Sequence, residues 1–136
     1  MREREIMNLL RQDARLTIRQ AASSLGESRH SAARAFRRAL RKAGRFTIIL
    51  DFRQMGFEIH ALFLLEPRTI RLVKFLKQNA SVNSVFGCRG NYSLMVYAIF
   101  RNMRRFADFD DRVSRLCTGK RIHFIVEEVK QEDAFL

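Results

Sequence analysis

The predicted fold of the N-terminal part follows from residues 17–44, which read TIRQAASSLGESRHSAARAFRRALRKAG. Thr17 fits the N-cap of a helix, and the glutamine three residues later completes a capping box. Gly26 suits the left-handed position that ends this helix. Ser28 fits the N-cap of a further helix, which ends near Gly44. The spacing predicts two helices joined by a short glycine-containing turn, the helix-turn-helix pattern.

The second of these helices carries its positive charge on one face. At 100° per residue, one side holds the apolar side chains, namely Ala32, Ala33, Phe36, Ala39, Leu40 and Ala43. The other side holds His30, Ser31, Arg34, Arg37, Arg38, Arg41 and Lys42. A solvated helix face usually mixes both signs, yet no acidic residue lies between Ser28 and Asp51. This pattern indicates contact with the phosphates of DNA.

The charge of the whole chain favours an anionic partner. The 136 residues have a formal net charge of +12, and 21 of the 26 basic residues are arginine. Residues 1–46 hold 12 of the basic residues and 4 acidic ones, and Ile6, Leu9 and Leu10 predict a first helix over about 3–12. Arginine pairs with phosphate through two parallel hydrogen bonds, so nucleic acid is the first expectation and a membrane surface the second.

Other classes of function find little support in the sequence. No apolar run approaches the roughly 20 residues of a membrane span, and the N-terminus lacks a signal-peptide pattern. The two cysteines, Cys88 and Cys117, form no disulfide framework, so a reducing cytoplasm is expected. The three histidines are scattered, and the acidic cluster Asp108, Asp110 and Asp111 fits a solvated helix face. We therefore expect no metal, no cofactor and no catalytic site.

The remaining residues predict a βαββαβ unit. Alternating or fully apolar stretches predict strands over residues 57–66, 82–88, 91–100 and 121–129. A helix between the first two strands carries Ile70, Val73 and Leu76 on one face. A second helix follows the third strand and carries Met103, Phe106, Phe109, Val113 and Leu116. Gly90 and Asn91 signal the turn before the third strand. This order is the ferredoxin-like fold.

Two helices cover only one face of such a sheet. The strands place more large apolar residues outward than the helices can cover, and an exposed apolar sheet face needs a partner. A homodimer paired through the sheets is therefore expected.

Several motifs resemble those of the Lrp/AsnC (feast/famine) transcription regulators. EIMNLLRQDARLT at residues 5–17 resembles the opening helix and its D-A-R signature. AASSLGES at 21–28 and LRKAG at 40–44 resemble the helix-turn-helix motifs. Residues 51–56 resemble the segment before the sheet domain. VFGCRGNYSL at 85–94 resembles the family's glycine-containing turn and the strand that follows it. VEEVK at 126–130 resembles the family's last strand.

The resemblance implies an α+β chain with a winged helix-turn-helix and a C-terminal ligand-sensing domain known as RAM. It implies a homodimer through the RAM sheet, an octamer or other higher oligomer, and amino-acid effectors bound between dimers. The domains would be residues 1–46 for DNA binding, 47–56 as a linking strand or hinge, and 57–136 as the RAM-like domain. The implied effector site comprises Arg89, Gly90, Asn91, Tyr92 and Ser93.

The chain departs from the family pattern at three places. Glu27 stands where the family has leucine, and one extra residue lies between Gly26 and Gly44. The join at Arg45 to Asp51 is short, so a reduced wing is expected. Ser93 replaces the acid of the family's G-x-Y-D motif. A carboxylate there could hold an ammonium group, so its loss predicts a weak response to simple amino acids.

Together these observations predict a regulator that reads double-stranded DNA with its third helix. The first turn of that helix and two arginines after it reach bases or phosphates, while the later basic residues bind mainly the backbone. The candidate DNA contacts are Thr17, Ser28, Arg29, His30, Ser31, Arg34, Arg37, Arg38, Arg41, Lys42 and Arg45.

Two alternatives stay open from the sequence. One is a haem-precursor decarboxylase on the same scaffold, which would need a tetrapyrrole pocket with basic residues and usually a histidine, such as His60 or His123. The other is a stand-alone sensor or co-regulator without DNA binding, against which the arginine-rich helix argues.

Overall fold

The computed structural model describes residues 2–43 and 49–130 of the chain. The chain divides into two compact units, one holding the helices before Ile49 and the other running from Leu50 to Val129. The first unit contains α1 (Arg2–Gln12), α2 (Ile18–Leu25) and α3 (Arg29–Lys42). All three helices agree with the sequence prediction.

The second unit is an antiparallel sheet with two helices. Its elements in chain order are β1 (Ile59–Glu66), α4 (Ile70–Gln78), β2 (Val82–Gly87), β3 (Leu94–Phe100), α5 (Met103–Ser114) and β4 (Gly119–Phe124). The strand order is β2-β3-β1-β4, and each neighbouring pair is antiparallel. The predicted α+β class and the ferredoxin-like βαββαβ order are confirmed.

The core of the second unit lies between one face of the sheet and its two helices. Alternate residues of β1, among them Phe63, are fully buried together with Leu72 of α4, and Phe109 of α5 is 4% exposed. The ring of Phe109 lies with its centroid 5.2 Å from those of Phe63 and Phe100. Packed aromatic rings of this kind stabilise a small core by more than their buried area alone.

Three residues at the edges of the predicted apolar helix faces do not face the core, contrary to the prediction. Leu40, Ile70 and Met103 were expected to face the core, but their exposed fractions are 38%, 89% and 56%. Ala35 and Leu72, which the predicted faces omitted, are buried instead. Periodicity locates an apolar stripe, but the neighbouring elements cover only the part of the stripe that they contact.

The last predicted strand is shorter than expected. β4 ends at Phe124, although strand structure was expected to Val129. One further backbone bond follows, from the amide of Ile125 to the carbonyl of His60 at 2.8 Å. Because β1 begins only one residue before His60, the chain beyond Ile125 soon has no strand partner.

Two other boundaries differ from the prediction. β3 begins at Leu94, so the residues from Cys88 to Ser93 form a loop between β2 and β3 rather than a tight two-residue turn. A linking strand or hinge was expected over residues 47–56; in the part that the structure describes, residues 49–56 contain turns and no strand. The shortened wing falls mostly on residues 44–48, which lie outside the described residues.

Candidate nucleic-acid interface

Local capping fixes the turn that leads into α3. The amide of Gln20 donates to Thr17 Oγ1 at 3.3 Å, and the amide of Thr17 donates to Gln20 Oε1 at 2.9 Å. Gly26 ends α2 with a φ of +60°, a left-handed conformation that glycine adopts without strain. Ser28 Oγ accepts from the amide of Ser31 at 3.1 Å. The predicted capping box, αL glycine and second N-cap are therefore confirmed, and they define where α3 starts.

Small residues hold α3 against the other two helices. Ala32, Ala35 and Ala39 are buried. The last two belong to the same core cluster as Ile6 of α1 and Ala21 of α2. Alanine side chains allow close approach of the helices, so the stripe at i, i+3 and i+7 faces inward and the opposite side faces solvent.

The outward side of α3 is strongly basic. Seven of its polar residues are exposed, namely Arg29, His30, Arg34, Arg37, Arg38, Arg41 and Lys42. Within residues 2–43 and 49–130, no hydrogen bond or ion pair engages the side chains of Arg29, Arg34, Arg38 and Arg41. These four guanidinium groups are available to pair with phosphate oxygens, each in a planar bidentate geometry.

The other candidate residues of this surface have different surroundings. Arg37 Nε donates to the carbonyl of Ala33 at 3.3 Å, and Lys42 Nζ lies 3.3 Å from Glu3 Oε1. Ser31 is half-buried, whereas Ser28 and Thr17 are exposed and act as caps. Arg45 lies outside the described residues.

An ion pair that the sequence analysis missed connects α1 with the turn before α3. Arg2 Nη2 lies 2.6 Å from Glu27 Oε1, and the Glu27 side chain is 23% exposed. Glu27 is the residue that stands in place of the family's leucine. The partners are far apart in sequence, so no spacing rule could have paired them.

The five predicted effector residues lie together in the loop between β2 and β3. Arg89, Gly90 and Asn91 are exposed, while Tyr92 and Ser93 are half-buried. The loop is closed by two backbone bonds of Ser93: its carbonyl accepts from the amide of Cys88 at 2.9 Å, and its amide donates to the carbonyl of Leu65 at 3.1 Å. Gly90 has a φ of +138°, which an L side chain rarely adopts.

The sheet face opposite the helices carries a patch of apolar side chains. Cross-strand pairing aligns Leu64 of β1 with Met95 of β3, and Leu62 with Tyr97. These four side chains are half-buried and lie outside the core cluster. Phe86 pairs with Met95 from the other side and is 50% exposed. We refer to these five residues as the open sheet face.

His60 lies beside the open sheet face and has two partners. Its Nε2 lies 3.1 Å from the carbonyl oxygen of Phe57, and its Nδ1 lies 2.6 Å from the hydroxyl of Tyr97. Because a carbonyl only accepts, Nε2 carries the proton and Nδ1 accepts from the tyrosine. Burial raises the pKa of Tyr97, with a further upward contribution from Glu128. His60 thus has the role of a satisfied, nearly buried residue, and His123 is exposed.

Two further titratable groups, Asp110 and Cys117, are engaged in local structure. Asp110 of the acidic cluster forms an ion pair with Lys120. Burial raises the pKa of the Cys117 thiol, which reduces its thiolate fraction and argues against a redox sensor. Across residues 2–43 and 49–130, no group of three or more His, Cys, Asp or Glu side chains is placed to bind a metal ion. None of the helices there has the length and apolar character needed to cross a bilayer.

Comparison with solved structures identifies the fold. B. subtilis LrpC superposes with a TM-score of 0.86 at 15% identity, covering 97% of each chain. E. coli AsnC gives 0.85 at 12% identity, covering 99% of this chain and 97% of that one. A transcriptional regulator of Neisseria meningitidis, solved as a complex with L-Met, gives 0.85 at 15% identity, with 96% and 91% covered. No protein-family model matches the sequence, and no curated protein matches it. The resemblance to Lrp/AsnC regulators is confirmed at the level of the fold.

Proposed function

We propose that this protein is a DNA-binding transcription regulator of the Lrp/AsnC type and that α3 is its recognition helix. The observation that carries the proposal is the outward face of α3, where Arg29, Arg34, Arg38 and Arg41 are exposed and have no partner among the described residues. Such a single-signed face would repel itself without a polyanion to neutralise it. The capped turn before α3 is the geometry by which a helix-turn-helix presents its second helix to the major groove.

The residues of α3 divide into two groups in this proposal. The first turn, from Ser28 to Ser31, and the outward arginines Arg34 and Arg38 reach base edges or phosphates. Arg37, Arg41, Lys42 and Arg45 bind mainly the backbone, and Thr17 lies at the start of α2 where a helix N-terminus favours a phosphate. Residues 1–46 form the DNA-binding domain, 47–56 the link, and 57–136 the RAM-like domain.

A salt titration of DNA binding tests the proposal directly. If a dimer neutralises about six phosphates, log K should fall with log salt at a slope of about −5. The measurement uses fluorescence anisotropy with a random duplex and with duplexes from the promoter regions of the source genome. The proposed function would be overturned if none of the duplexes showed saturable binding at low salt.

The open sheet face supports a dimer as the acting species. Leu62, Leu64, Met95, Tyr97 and Phe86 present a contiguous apolar surface, and pairing two such surfaces would bury an interface of the obligate, apolar type. A two-fold dimer also presents two α3 helices to one DNA duplex, which doubles the number of phosphate contacts. Assembly of dimers into an octamer or another higher oligomer is part of the same proposal.

The effector loop supports a weak response to free amino acids. The N. meningitidis regulator was solved with L-Met, and an amino acid presents both a carboxylate and an ammonium group. Arg89 could pair with the carboxylate. Ser93 offers only a hydroxyl where an ammonium needs a charged acceptor, and a buried unpaired charge is costly. Regulation would then depend on DNA occupancy, on oligomer state or on a different ligand.

The two alternatives have less support. The compared N. meningitidis structure is described as a transcriptional regulator, and His60 already has Tyr97 and the carbonyl of Phe57 as partners. Absence of a tetrapyrrole absorbance band in the purified protein would count against a decarboxylase. Salt-dependent DNA binding would count against a sensor without DNA binding.

A further inference from the structure

A shallow groove runs along one side of α4 in the second unit. It has a volume of about 390 Å³ and is lined by Arg68, Thr69, Ile70, Val73, Lys74, Lys77 and Gln78. That volume lies within the range of about 300–1,000 Å³ that small-molecule sites occupy.

Part of the groove lining is apolar. Ile70 is 89% exposed, and Val73, one helical turn further, is half-buried and packs against the core from its other side. Residues spaced three and four apart on a helix are neighbours. Ile70 therefore lies beside both Val73 and Lys74, and Val73 lies beside Lys77, which gives two apolar and two cationic side chains on one contiguous surface.

The rim of the groove is cationic and lacks counter-charges. Arg68, Lys74 and Lys77 are exposed and form no ion pair or hydrogen bond with any residue that the structure describes. None of the lining residues is acidic. The sequence around them is equally one-sided, since residues 67–107 contain eight basic residues and no acidic one.

Arg68 lies between the start of α4 and the end of β2. A Cβ built on Gly87 would lie 2.9 Å from Arg68 Nη1, so the guanidinium rests against the backbone at a position where a larger residue would displace it. The guanidinium of Arg68 thus lies close to the end of β2.

We propose that this groove binds a small amphipathic anion, with a carboxylate or phosphate group held by Lys74, Lys77 and Arg68 and a hydrocarbon part lying along Ile70 and Val73. A zwitterionic amino acid fits poorly because the lining offers no acid for its ammonium group. A DNA backbone fits poorly because it would leave Ile70 and Val73 without an apolar partner. The site is separate from α3 and does not depend on the proposed DNA-binding function.

Calorimetric titration of the full-length protein tests the site with four probes. Octanoate and octyl phosphate carry both parts of the predicted ligand and distinguish the two head groups, inorganic phosphate carries the head alone, and octanol carries the tail alone. We expect saturable binding of one or both octyl anions, with one ligand per protomer. Inorganic phosphate and octanol should bind at least about 10-fold more weakly, because each lacks one set of contacts.

Variants separate this groove from general charge effects. The double substitution Lys74→Gln, Lys77→Gln should weaken the binding of the octyl anions at least about 5-fold. The control is Arg104→Gln with Arg115→Gln, which removes the same charge from α5 and its C-terminal end. Ile70→Ala should weaken the binding of the octyl anions but leave the binding of inorganic phosphate unchanged. All of these side chains are exposed, so thermal melting should show that the variants remain folded.

Three results would overturn the proposal. The first is absence of saturable binding of both octyl anions. The second is an equal loss of affinity in the groove variant and the control variant, since binding would then reflect net charge alone. The third is a smaller salt slope of DNA binding in the Lys74→Gln, Lys77→Gln variant than in the control, since the basic rim would then be a DNA surface.

Discussion

Replacing Arg34 and Arg38 with glutamine should weaken DNA binding strongly and reduce its salt dependence. Both side chains are exposed on α3, one turn apart, and neither has a partner among the described residues. A dimer would lose up to four phosphate contacts, so the slope of log K against log salt should become shallower by up to about 3.6. At about 0.5–1 kcal/mol for each contact, affinity should fall roughly 30- to 1,000-fold.

Fluorescence anisotropy across a series of salt concentrations measures both quantities at once. The control is Arg104→Gln with Arg115→Gln, which removes the same charge from the second unit and should leave the slope near that of the unchanged protein. Because the α3 arginines support no fold contact, the melting temperatures of the three proteins should agree closely. Equal loss of slope in both variants would show that α3 is not the DNA-binding helix.

Three further predictions concern the caps, the sheet face and the effector loop. Thr17→Ala should lower the free energy of unfolding by about 1 kcal/mol, measured by chemical denaturation, while Thr17→Ser should retain most of it; equal stability of all three proteins would contradict the capping role. Leu62→Asp should convert a dimer into a monomer in sedimentation experiments, and a folded monomer of the unchanged protein at micromolar concentration would disprove sheet pairing. None of the twenty amino acids should raise the melting temperature clearly. A ligand that binds would be detected, because at 100 times its Kd it adds about 2.7 kcal/mol of stability. A rise in melting temperature that Asn91→Ala abolishes would refute this prediction.

Local sequence was sufficient to predict the ends of the helices. The capping box at Thr17, the left-handed Gly26 and the cap at Ser28 each involve atoms within a few residues of one another. The free energy of such a cap depends little on the rest of the fold. The same reasoning explains why the order of strands and helices, and with it the ferredoxin-like fold, could be predicted from periodicity.

Local sequence was not sufficient to predict which residues at the edge of an apolar stripe are covered. Leu40 and Ile70 have the right spacing for the core, but they are exposed because none of the elements that the structure describes covers them fully. In the case of Ile70, this exposure leaves an apolar side chain in the lining of the groove on α4. The candidate anion site was therefore visible only once the packing of α4 was known.

Sequence alone determined the charge, the caps and the alternation of this protein, because each of these is a property of residues close together in the chain. The tertiary structure decided the contacts between distant residues. The strand register brings Tyr97 to His60, and the fold places Arg53 where Nη2 donates to the carbonyls of Ile125 and Val126, both at 3.1 Å. Pairing between segments so far apart depends on register and on loop closure, which no local spacing encodes.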